Sequence, residues 1–264
     1  MSNGQAHIIA VANQKGGVGK TTTTINLATA MAAVKKRVLI LDLDPQGNAS
    51  TGFGIDRGAR EITSYDVVLG AAPLGDAVLE TEVPGLSIIP STVDLSGADL
   101  ELAELPQRNF RLKQAFEKAS AYDEYDYILI DCPPSLSLLT INALVSADSV
   151  LVPLQCEFFA LEGLSLLLKT IEQVKASLNP ELEINGVVLT MFDKRNNLSE
   201  QVAEDVRAYL GDKVYQTVIP RNVRISEAPS FGKPAILYDH RCTGSRAYIE
   251  LAREVLGRGS KIAA

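Results

Sequence analysis

Short runs of β-forming apolar residues alternate with helical patterns along the whole chain, and this alternation restricts the fold more than any other feature. The runs are nearly continuous in Val, Ile, Leu and Ala, which is typical of strands buried on both faces of a parallel sheet. They lie at 7–13 (HIIAVAN), 37–42 (RVLILD), 86–90 (LSIIP), 126–131 (DYILID), 149–154 (SVLVPL) and 184–190 (INGVVLT). Apolar residues at helical spacing predict helices at 20–34, 108–120, 157–177, 198–210 and near 244–257. The pattern therefore predicts an α/β fold with a doubly wound, mostly parallel sheet flanked by helices.

The chain has 264 residues, of which 46 % are hydrophobic and 22 % are charged, as expected for a soluble globular protein with a large core. We find no repeat, low-complexity tract or linker-like change in composition. We therefore expect a single domain over 1–264, with a core at about 7–257, short tails at both ends and a loose C-terminal tail at about 258–264. The sequence has no apolar run of membrane-spanning length and no secretory signal at its start, which favours a cytoplasmic location.

Composition also argues against several kinds of chemistry. The three cysteines, Cys132, Cys156 and Cys242, are far apart, which indicates reduced thiols rather than a zinc site. With only two histidines in the chain, a histidine-centred mechanism is a poor candidate. The net charge of −7 by itself argues against non-specific binding to DNA or anionic lipid. A local basic patch can still bind DNA, because screening limits the reach of a charge to about 10 Å at ordinary salt.

The segment "NQKGGVGKTTTTINLA" (13–28) lies between the first predicted strand and the first predicted helix. Glycines at this place let the backbone N–H groups of Gly16, Gly17, Val18 and Gly19 curl around a phosphate, next to the positive end of a helix dipole. The segment therefore predicts a nucleotide-binding loop.

The residues that follow the loop complete this prediction. Lys20 is placed to reach the β- and γ-phosphates, the Thr21 hydroxyl suits Mg²⁺, and the Thr22 hydroxyl would reach the α-phosphate. The strict G-x-x-x-x-G-K-[ST] pattern fails at its first glycine, since this position is Gln14, and Lys15 follows as an additional lysine.

The loop sequence "KGGVGKTT" resembles the deviant Walker A motif of the ParA/MinD/nitrogenase-iron-protein group of P-loop ATPases. Five further segments narrow the resemblance to chromosomal ParA (Soj-like) partition ATPases, over about residues 7 to 257. They are "LDLDPQGN" (41–48), "DCPPSL" (131–136), "PLQCEFFALEGL" (153–164), "TMFDKRNNLSEQV" (190–202) and "IPRNVRISEAPSFGKP" (219–234). The resemblance implies an ATPase that uses ATP and Mg²⁺ and hydrolyses ATP slowly.

The resemblance also implies a role for Lys15, which in this family reaches across a nucleotide-sandwich homodimer to the phosphates bound by the other subunit. A cation supplied in this way stabilises the charge that develops on phosphate oxygens during phosphoryl transfer. Lys15, Lys20 and Asp44 are thus the expected catalytic residues, and Lys15 would couple ATP binding to dimerisation.

Three carboxylates compete for roles near the phosphates. Asp131 ends the strand "YILI", where a Walker B aspartate lies beside the coordination sphere of Mg²⁺. By resemblance, Asp44 lies in the switch I segment and positions the attacking water, whereas Asp42 is the second candidate or a structural residue. The segment 132–139 (CPPSLSLL) is expected to act as switch II.

Family resemblance places the adenine base and the DNA on the C-terminal third of the chain. Met191, Pro220 and Asn222 would line or hydrogen-bond adenine. Arg195 and Arg224 match family positions that contact double-stranded DNA without reading its sequence. A twofold dimer doubles this patch, which would make DNA binding depend on ATP.

The expected function is therefore an ATP-dependent, dimerising switch in chromosome or plasmid partitioning, associated with the nucleoid and stimulated by a ParB-like centromere-binding protein. The main alternative is a MinD-like membrane-surface ATPase that regulates division-site placement. The C-terminal sequence "YIELAREVLGRGSKIAA" lacks a strong apolar face, so no stable membrane association is expected. An iron-protein-like electron carrier lacks matching cysteines, and we see no acceptor-site signature of a small-molecule kinase.

Overall fold

The computed structural model describes residues 6–119 and 124–262, and the side chains of the last helix as far as Arg258. One sheet runs through this part of the chain, in the order β3-β4-β2-β5-β1-β6-β7-β8. Its strands are β1 (His7–Val11), β2 (Val38–Asp42), β3 (Leu79–Glu80), β4 (Leu86–Ile89), β5 (Tyr127–Asp131), β6 (Ser149–Gln155), β7 (Glu183–Phe192) and β8 (Val214–Pro220). All neighbouring strands are parallel except the edge pair β3–β4. The prediction of a mostly parallel α/β sheet is confirmed.

Helices connect the strands and cover both faces of the sheet. In chain order they are α1 (Lys20–Ala33), α2 (Asn48–Gly52), α3 (Ser64–Leu69), α4 (Ala98–Glu104), α5 (Arg111–Lys118), α6 (Leu138–Ser146), α7 (Ala160–Ser177), α8 (Asn197–Leu210), α9 (Val223–Glu227), α10 (Ala235–Tyr238) and α11 (Thr243–Ile262). Helices α3 to α8 pack on one face, whereas α1, α2 and α11 pack on the other.

The two faces explain why the strand segments are nearly continuous in apolar residues. Alternate residues of a strand point to opposite faces. In β1, Ile8 and Ala10 belong to the core beneath α3 to α8, whereas Ile9 and Val11 belong to the core beneath α1 and α11. Both sets are buried, so neither face of this strand has a place for a polar residue between Ile8 and Val11.

The parallel register brings the carboxyl ends of the central strands together. Asp131 at the end of β5 is in register with Val11 of β1 on one side and with Asp42 of β2 on the other. The glycine-rich loop after β1, the acidic segment after β2 and Asp131 therefore meet at one edge of the sheet. Ligands of open α/β sheets bind at this edge.

The predicted elements are all present, with ends that differ by a few residues. The helix predicted at 108–120 spans Arg111–Lys118, and its predicted last residue lies outside the described residues, as do residues 1–5 of the predicted N-terminal tail. Strands β3 and β8 and helices α2, α3, α4, α6, α9 and α10 were not predicted. Most of these elements are too short to show a hydrophobic period.

The predicted loose tail begins at about residue 258, but α11 continues to Ile262, and residues 263–264 lie outside the described residues. The Arg258 guanidinium carbon lies 3.9 Å from the centre of the Tyr215 ring. Arg258 also donates to the carbonyls of Asn185 at 2.9 Å and Asp212 at 2.8 Å. A cation–π contact and carbonyl hydrogen bonds thus hold α11 in place at Arg258, where the sequence has no apolar pattern that predicts packing.

Candidate active site

A cavity of about 470 Å³ opens at the carboxyl edge of the sheet. The glycine-rich loop and the start of α1 form one wall, and the segments that follow β7 and β8 form another. Asp44 also lines the cavity. A second cavity of about 530 Å³, between α5 and the segment that follows α3, contains none of the predicted site residues. The cavity of about 470 Å³ is therefore the candidate site, since it joins the sequence motifs.

The loop adopts a conformation that its glycines make possible. Gly17 and Gly19 have φ angles of 75° and 88°, which L side chains rarely adopt. The loop is also tied to neighbouring strands, since the Thr190 hydroxyl donates to the Val18 carbonyl at 2.8 Å. Asn13 accepts from the Lys15 amide at 3.0 Å. Val18 itself is buried and does not line the cavity, so only its backbone is available to a ligand.

Lys20 lies at the base of the cavity and is only 6 % exposed. Its ammonium donates to the Lys15 carbonyl at 3.1 Å. Burial lowers the pKa of Lys20, and the nearby Asp131 carboxylate opposes this effect. A half-desolvated ammonium next to loop amides is suited to an anionic ligand. Thr21 and Thr22 line the cavity beside it.

Asp131 lies behind Lys20 and is fully buried. Its Oδ1 accepts from the Thr24 hydroxyl at 3.3 Å. The Thr21 hydroxyl also lowers the pKa of this carboxyl, but burial and the Asp42 carboxylate raise it well above its usual value. No hydrogen bond of regular geometry reaches Oδ2 from the described residues. A buried carboxylate oxygen without a partner fits a hydrated cation such as Mg²⁺, with Thr21 as the adjacent hydroxyl.

Asp42 and Asp44 end β2 together but have different surroundings. Asp42 is fully buried, and it accepts from the Ser50 hydroxyl at 2.7 Å and from the amides of Ser50 and Asp44 at 3.0 and 3.2 Å. Burial raises the pKa of Asp42 to about 6 in spite of these bonds. Asp44, in contrast, lines the cavity. The geometry therefore gives Asp42 a structural position and leaves Asp44 at the cavity.

Lys15 is placed differently from Lys20. Its side chain does not line the cavity, and its ammonium pairs with Glu157 on the segment between β6 and α7. Both side chains of the pair remain over 40 % exposed, at 43 % and 45 %. The two lysines of the loop thus lie in different surroundings: Lys20 lines the cavity, and Lys15 lies outside it.

The residues predicted to contact adenine line the same cavity. Met191 has a left-handed φ of 49°, and Pro220 ends β8. Asn222 begins α9 by accepting from the Arg224 amide at 2.9 Å, and its amide donates to Thr243 at 2.9 Å. The structure therefore brings together residues that lie about 170 to 200 positions after the loop.

Tyr248 of α11 also lines the cavity, although sequence reasoning missed it. It is buried, and its hydroxyl lies 3.3 Å from that of Thr23. The residue lies inside an ordinary amphipathic helix pattern, so no local signal distinguishes it from a core residue.

Arg195 and Arg224 lie outside the cavity, after the neighbouring strands β7 and β8. Arg195 is 89 % exposed and makes two hydrogen bonds to the Asp193 carboxylate, at 3.0 and 2.9 Å, which lower the pKa of Asp193 to about 2. Arg224 pairs with Glu227 at 3.1 Å and lies 3.7 Å from Asp239. Each guanidinium thus already has an acidic partner in its own chain.

Known proteins are similar to this chain over most of its length. A family model described as "AAA domain" matches residues 6–184, which is more than half of the chain. The chromosome partitioning protein ParA of Caulobacter vibrioides is 63 % identical over 98 % of this chain and 97 % of its own length. The sporulation initiation inhibitor protein Soj of Bacillus subtilis is 55 % identical over 96 % of this chain and 99 % of its own length.

A solved structure is similar over a comparable length. The cobyrinic acid a,c-diamide synthase of Mycobacterium smegmatis, crystallised with an ATP analogue and magnesium, has a TM-score of 0.82 and 35 % sequence identity. The match covers 95 % of this chain and 94 % of that chain. A protein with the same fold therefore binds a nucleotide and magnesium together.

Proposed function

Because this chain belongs to the ParA/Soj family of chromosome-partitioning ATPases, we propose that it is an ATP-dependent dimerising switch that binds DNA without sequence preference. As the ATP-bound homodimer it would drive partitioning of a chromosome or plasmid, with slow hydrolysis stimulated by a ParB-like protein. The observation that carries the proposal is that the two lysines of the loop differ in position relative to the cavity. Lys20 lies in the cavity of its own subunit, whereas Lys15 lies outside it.

Nucleotide binding follows from the residues of the cavity. The amides of residues 16–19 and the Lys20 ammonium would hold the phosphates, with Thr22 at the α-phosphate. Adenine would lie against Met191, Pro220 and Asn222, which line the same cavity. Thr21 would ligate Mg²⁺ directly and Asp131 would accept from one of its bound waters, which supplies the partner that Oδ2 lacks. Bound Mg²⁺ neutralises charge on the β- and γ-phosphates.

Dimerisation would use Lys15. Its partner Glu157 is half exposed, so the ion pair is weak and its cost of rupture is about 1 kcal/mol or less. In an ATP-bound dimer the ammonium would leave Glu157 for the phosphates bound by the other subunit. ATP in one subunit thereby stabilises contact with the next.

Hydrolysis would depend on Asp44, which would orient the attacking water. A loose transition state requires positioning rather than a strong base, which agrees with slow turnover. Asp42 is unsuited to this role because its carboxylate is buried and already accepts three hydrogen bonds.

DNA binding would use Arg195 and Arg224 from both subunits. In a single subunit each arginine is paired with acidic residues, so phosphates must compete for it. A dimer doubles the number of contacts on one face and raises the affinity by linkage. The acidic net charge of −7 disfavours binding by the monomer. Association with the nucleoid in the cytoplasm would follow.

The membrane-surface alternative receives no support from α11. The apolar side of this helix, which includes Leu251, Ala252 and Val255, is buried against the sheet and is therefore not free to enter a bilayer. In the part of the chain that the structure describes, none of the helices combines the length and the apolar character of a membrane span.

Sedimentation velocity tests the proposal. The Asp44→Ala variant, used to block hydrolysis, should sediment as a monomer alone and as a dimer with ATP and Mg²⁺. It should sediment with an unrelated DNA duplex only when ATP is present. Lys20→Ala is the control, because it removes the ammonium inside the cavity and should prevent both transitions. An ATP-independent dimer, or DNA binding by the nucleotide-free monomer, would contradict the proposal.

A further inference from the structure

A cluster of buried polar residues lies behind the segment that carries Asp44. Its members are Asp42, Ser50, Arg60 and Ser91, and the most exposed of them, Arg60, is only 7 % exposed. They come from β2, from α2, from the segment before α3 and from the segment after β4. Apart from Asp42, which ends a predicted strand, neither the loop motif nor the strand pattern of the sequence predicts them.

Ser91 connects this cluster directly to Asp44. Its hydroxyl donates to the Asp44 carbonyl at 2.7 Å, and the Gly47 amide donates to the same oxygen at 2.9 Å. The Ser91 amide donates in turn to the Ser50 hydroxyl at 3.1 Å, which donates to Asp42 at 2.7 Å. The main chain at Asp44 is thus held by side chains that lie up to 47 residues away in sequence.

Arg60 joins the same segments from the other side. Its Nη1 donates to the carbonyls of Ser91 at 2.9 Å and Gly47 at 3.4 Å. Its Nη2 donates to Thr51 Oγ1 at 3.0 Å and to the Ile55 carbonyl at 2.8 Å. A Cβ on Gly47, where φ is +61°, would lie 2.4 Å from Nη1, so the guanidinium passes over a position that only glycine can occupy.

Burial of this guanidinium is costly, and burial lowers the pKa of Arg60. Among the described residues, no carboxylate forms an ion pair with it. An apolar side chain would fill the same space at a lower cost in free energy. An apolar residue cannot, however, donate hydrogen bonds to four acceptors that lie on the 47–55 stretch and at Ser91. The same stretch begins three residues after Asp44.

We propose that Arg60 and Ser91 are positioning residues for ATP hydrolysis, which act by holding the main chain of Asp44 at the cavity. This inference rests on the proposed role of Asp44. Asp44 Oδ1 already accepts from the Gln46 amide at 3.0 Å, so the orientation of its carboxylate depends on the position of the 44–47 turn. Misplacement by about 1 Å is enough to lower a rate by two orders of magnitude.

The test compares Ser91→Ala and Arg60→Lys with two exposed neighbours, Ser96→Ala and Arg57→Lys, as matched controls. Phosphate release is measured at saturating Mg·ATP and generic duplex DNA, together with KM, affinity for a non-hydrolysable ATP analogue, and the midpoint of thermal unfolding. We expect kcat to fall about 10- to 100-fold in both test variants, while KM and analogue affinity change less than about twofold. The controls should match the wild type.

A purely structural role predicts a different pattern, in which nucleotide affinity and kcat fall together. Ser91→Ala removes only one hydroxyl, so it keeps the test decisive even if Arg60→Lys unfolds. A wild-type kcat in Ser91→Ala would overturn the proposal. Adding Ser91→Ala to Asp44→Ala should cause no further loss of residual turnover, because both changes act on the same step. An additional tenfold loss would contradict action through Asp44.

The outcome for Asp44→Ala alone separates this inference from the proposed function. If that variant hydrolyses ATP at the wild-type rate, the proposed role of Asp44 is wrong. If it stalls while Ser91→Ala and Arg60→Lys turn over normally, only the positioning role of the buried cluster is wrong.

Discussion

Substitution of Lys15 by glutamine should separate ATP binding from dimerisation. The Lys15 ammonium pairs with Glu157 outside the cavity, and both side chains are over 40 % exposed. Loss of such a pair changes the free energy of unfolding by about 1 kcal/mol at most. The phosphates in the same subunit lose no contact, so the affinity of the monomer for ATP should change less than about threefold.

The dimer should be affected much more strongly. Each Lys15 would lose a charge-assisted hydrogen bond to a phosphate of the other subunit, which contributes about 1.5–3 kcal/mol. By symmetry the dimer loses two such bonds, or about 3–6 kcal/mol, and its dissociation constant should rise about 100- to 20,000-fold. Sedimentation velocity with a non-hydrolysable ATP analogue measures dimerisation, and analogue titration at protein concentrations below the dimer dissociation constant measures binding.

Glu157→Gln provides the opposite perturbation. This change releases Lys15 from a competing partner, so each subunit gains up to about 1 kcal/mol and the dimer should tighten by up to about 30-fold. The reasoning is refuted if Lys15→Gln weakens ATP binding and dimerisation by the same factor, since Lys15 would then serve the phosphates of its own subunit.

Three further predictions follow from the site and from the last helix. Asp44→Ala should retain ATP and Mg²⁺ and remain dimeric, but its phosphate release should stall. Rapid release would show that another residue positions the attacking water. Arg195→Glu or Arg224→Glu should weaken binding to two unrelated duplexes equally, and should lower the logarithmic salt slope by up to about 2 because each removes two phosphate contacts per dimer. An unchanged slope, or loss of dimerisation, would exclude the DNA patch. Arg258→Ala should lower the free energy of unfolding by about 1–3 kcal/mol in urea denaturation, through loss of the Tyr215 stack and carbonyl bonds, whereas the exposed Arg253→Ala should change it by less than about 0.5 kcal/mol.

Local patterns in the sequence were enough to predict the fold class and the phosphate loop. Strands such as β1 and β5 are buried on both faces, and this burial leaves a nearly continuous apolar run in the sequence. The phosphate-loop residues, which are the glycines, Lys20 and Thr21, are neighbours in the chain. Their motif can therefore be recognised without knowledge of tertiary contacts. The sequence also predicts the position of Asp131, because this residue ends a clear strand.

Only the tertiary structure decided what each polar residue faces. Asp42 and Asp44 are two positions apart and chemically identical, yet Ser50 and the protein core surround one while the cavity receives the other. The partner of Lys15 is 142 residues away, and Arg258 at the expected loose tail stacks on Tyr215 through a contact that apolar periodicity does not encode. Hydrogen bonds and ion pairs of this kind depend on the packing of distant segments. The spacing of apolar residues, in contrast, is a property of the local sequence of each segment. The sequence by itself therefore determined the sheet and the loop, and the packing around that sheet determined which side chains meet in the site.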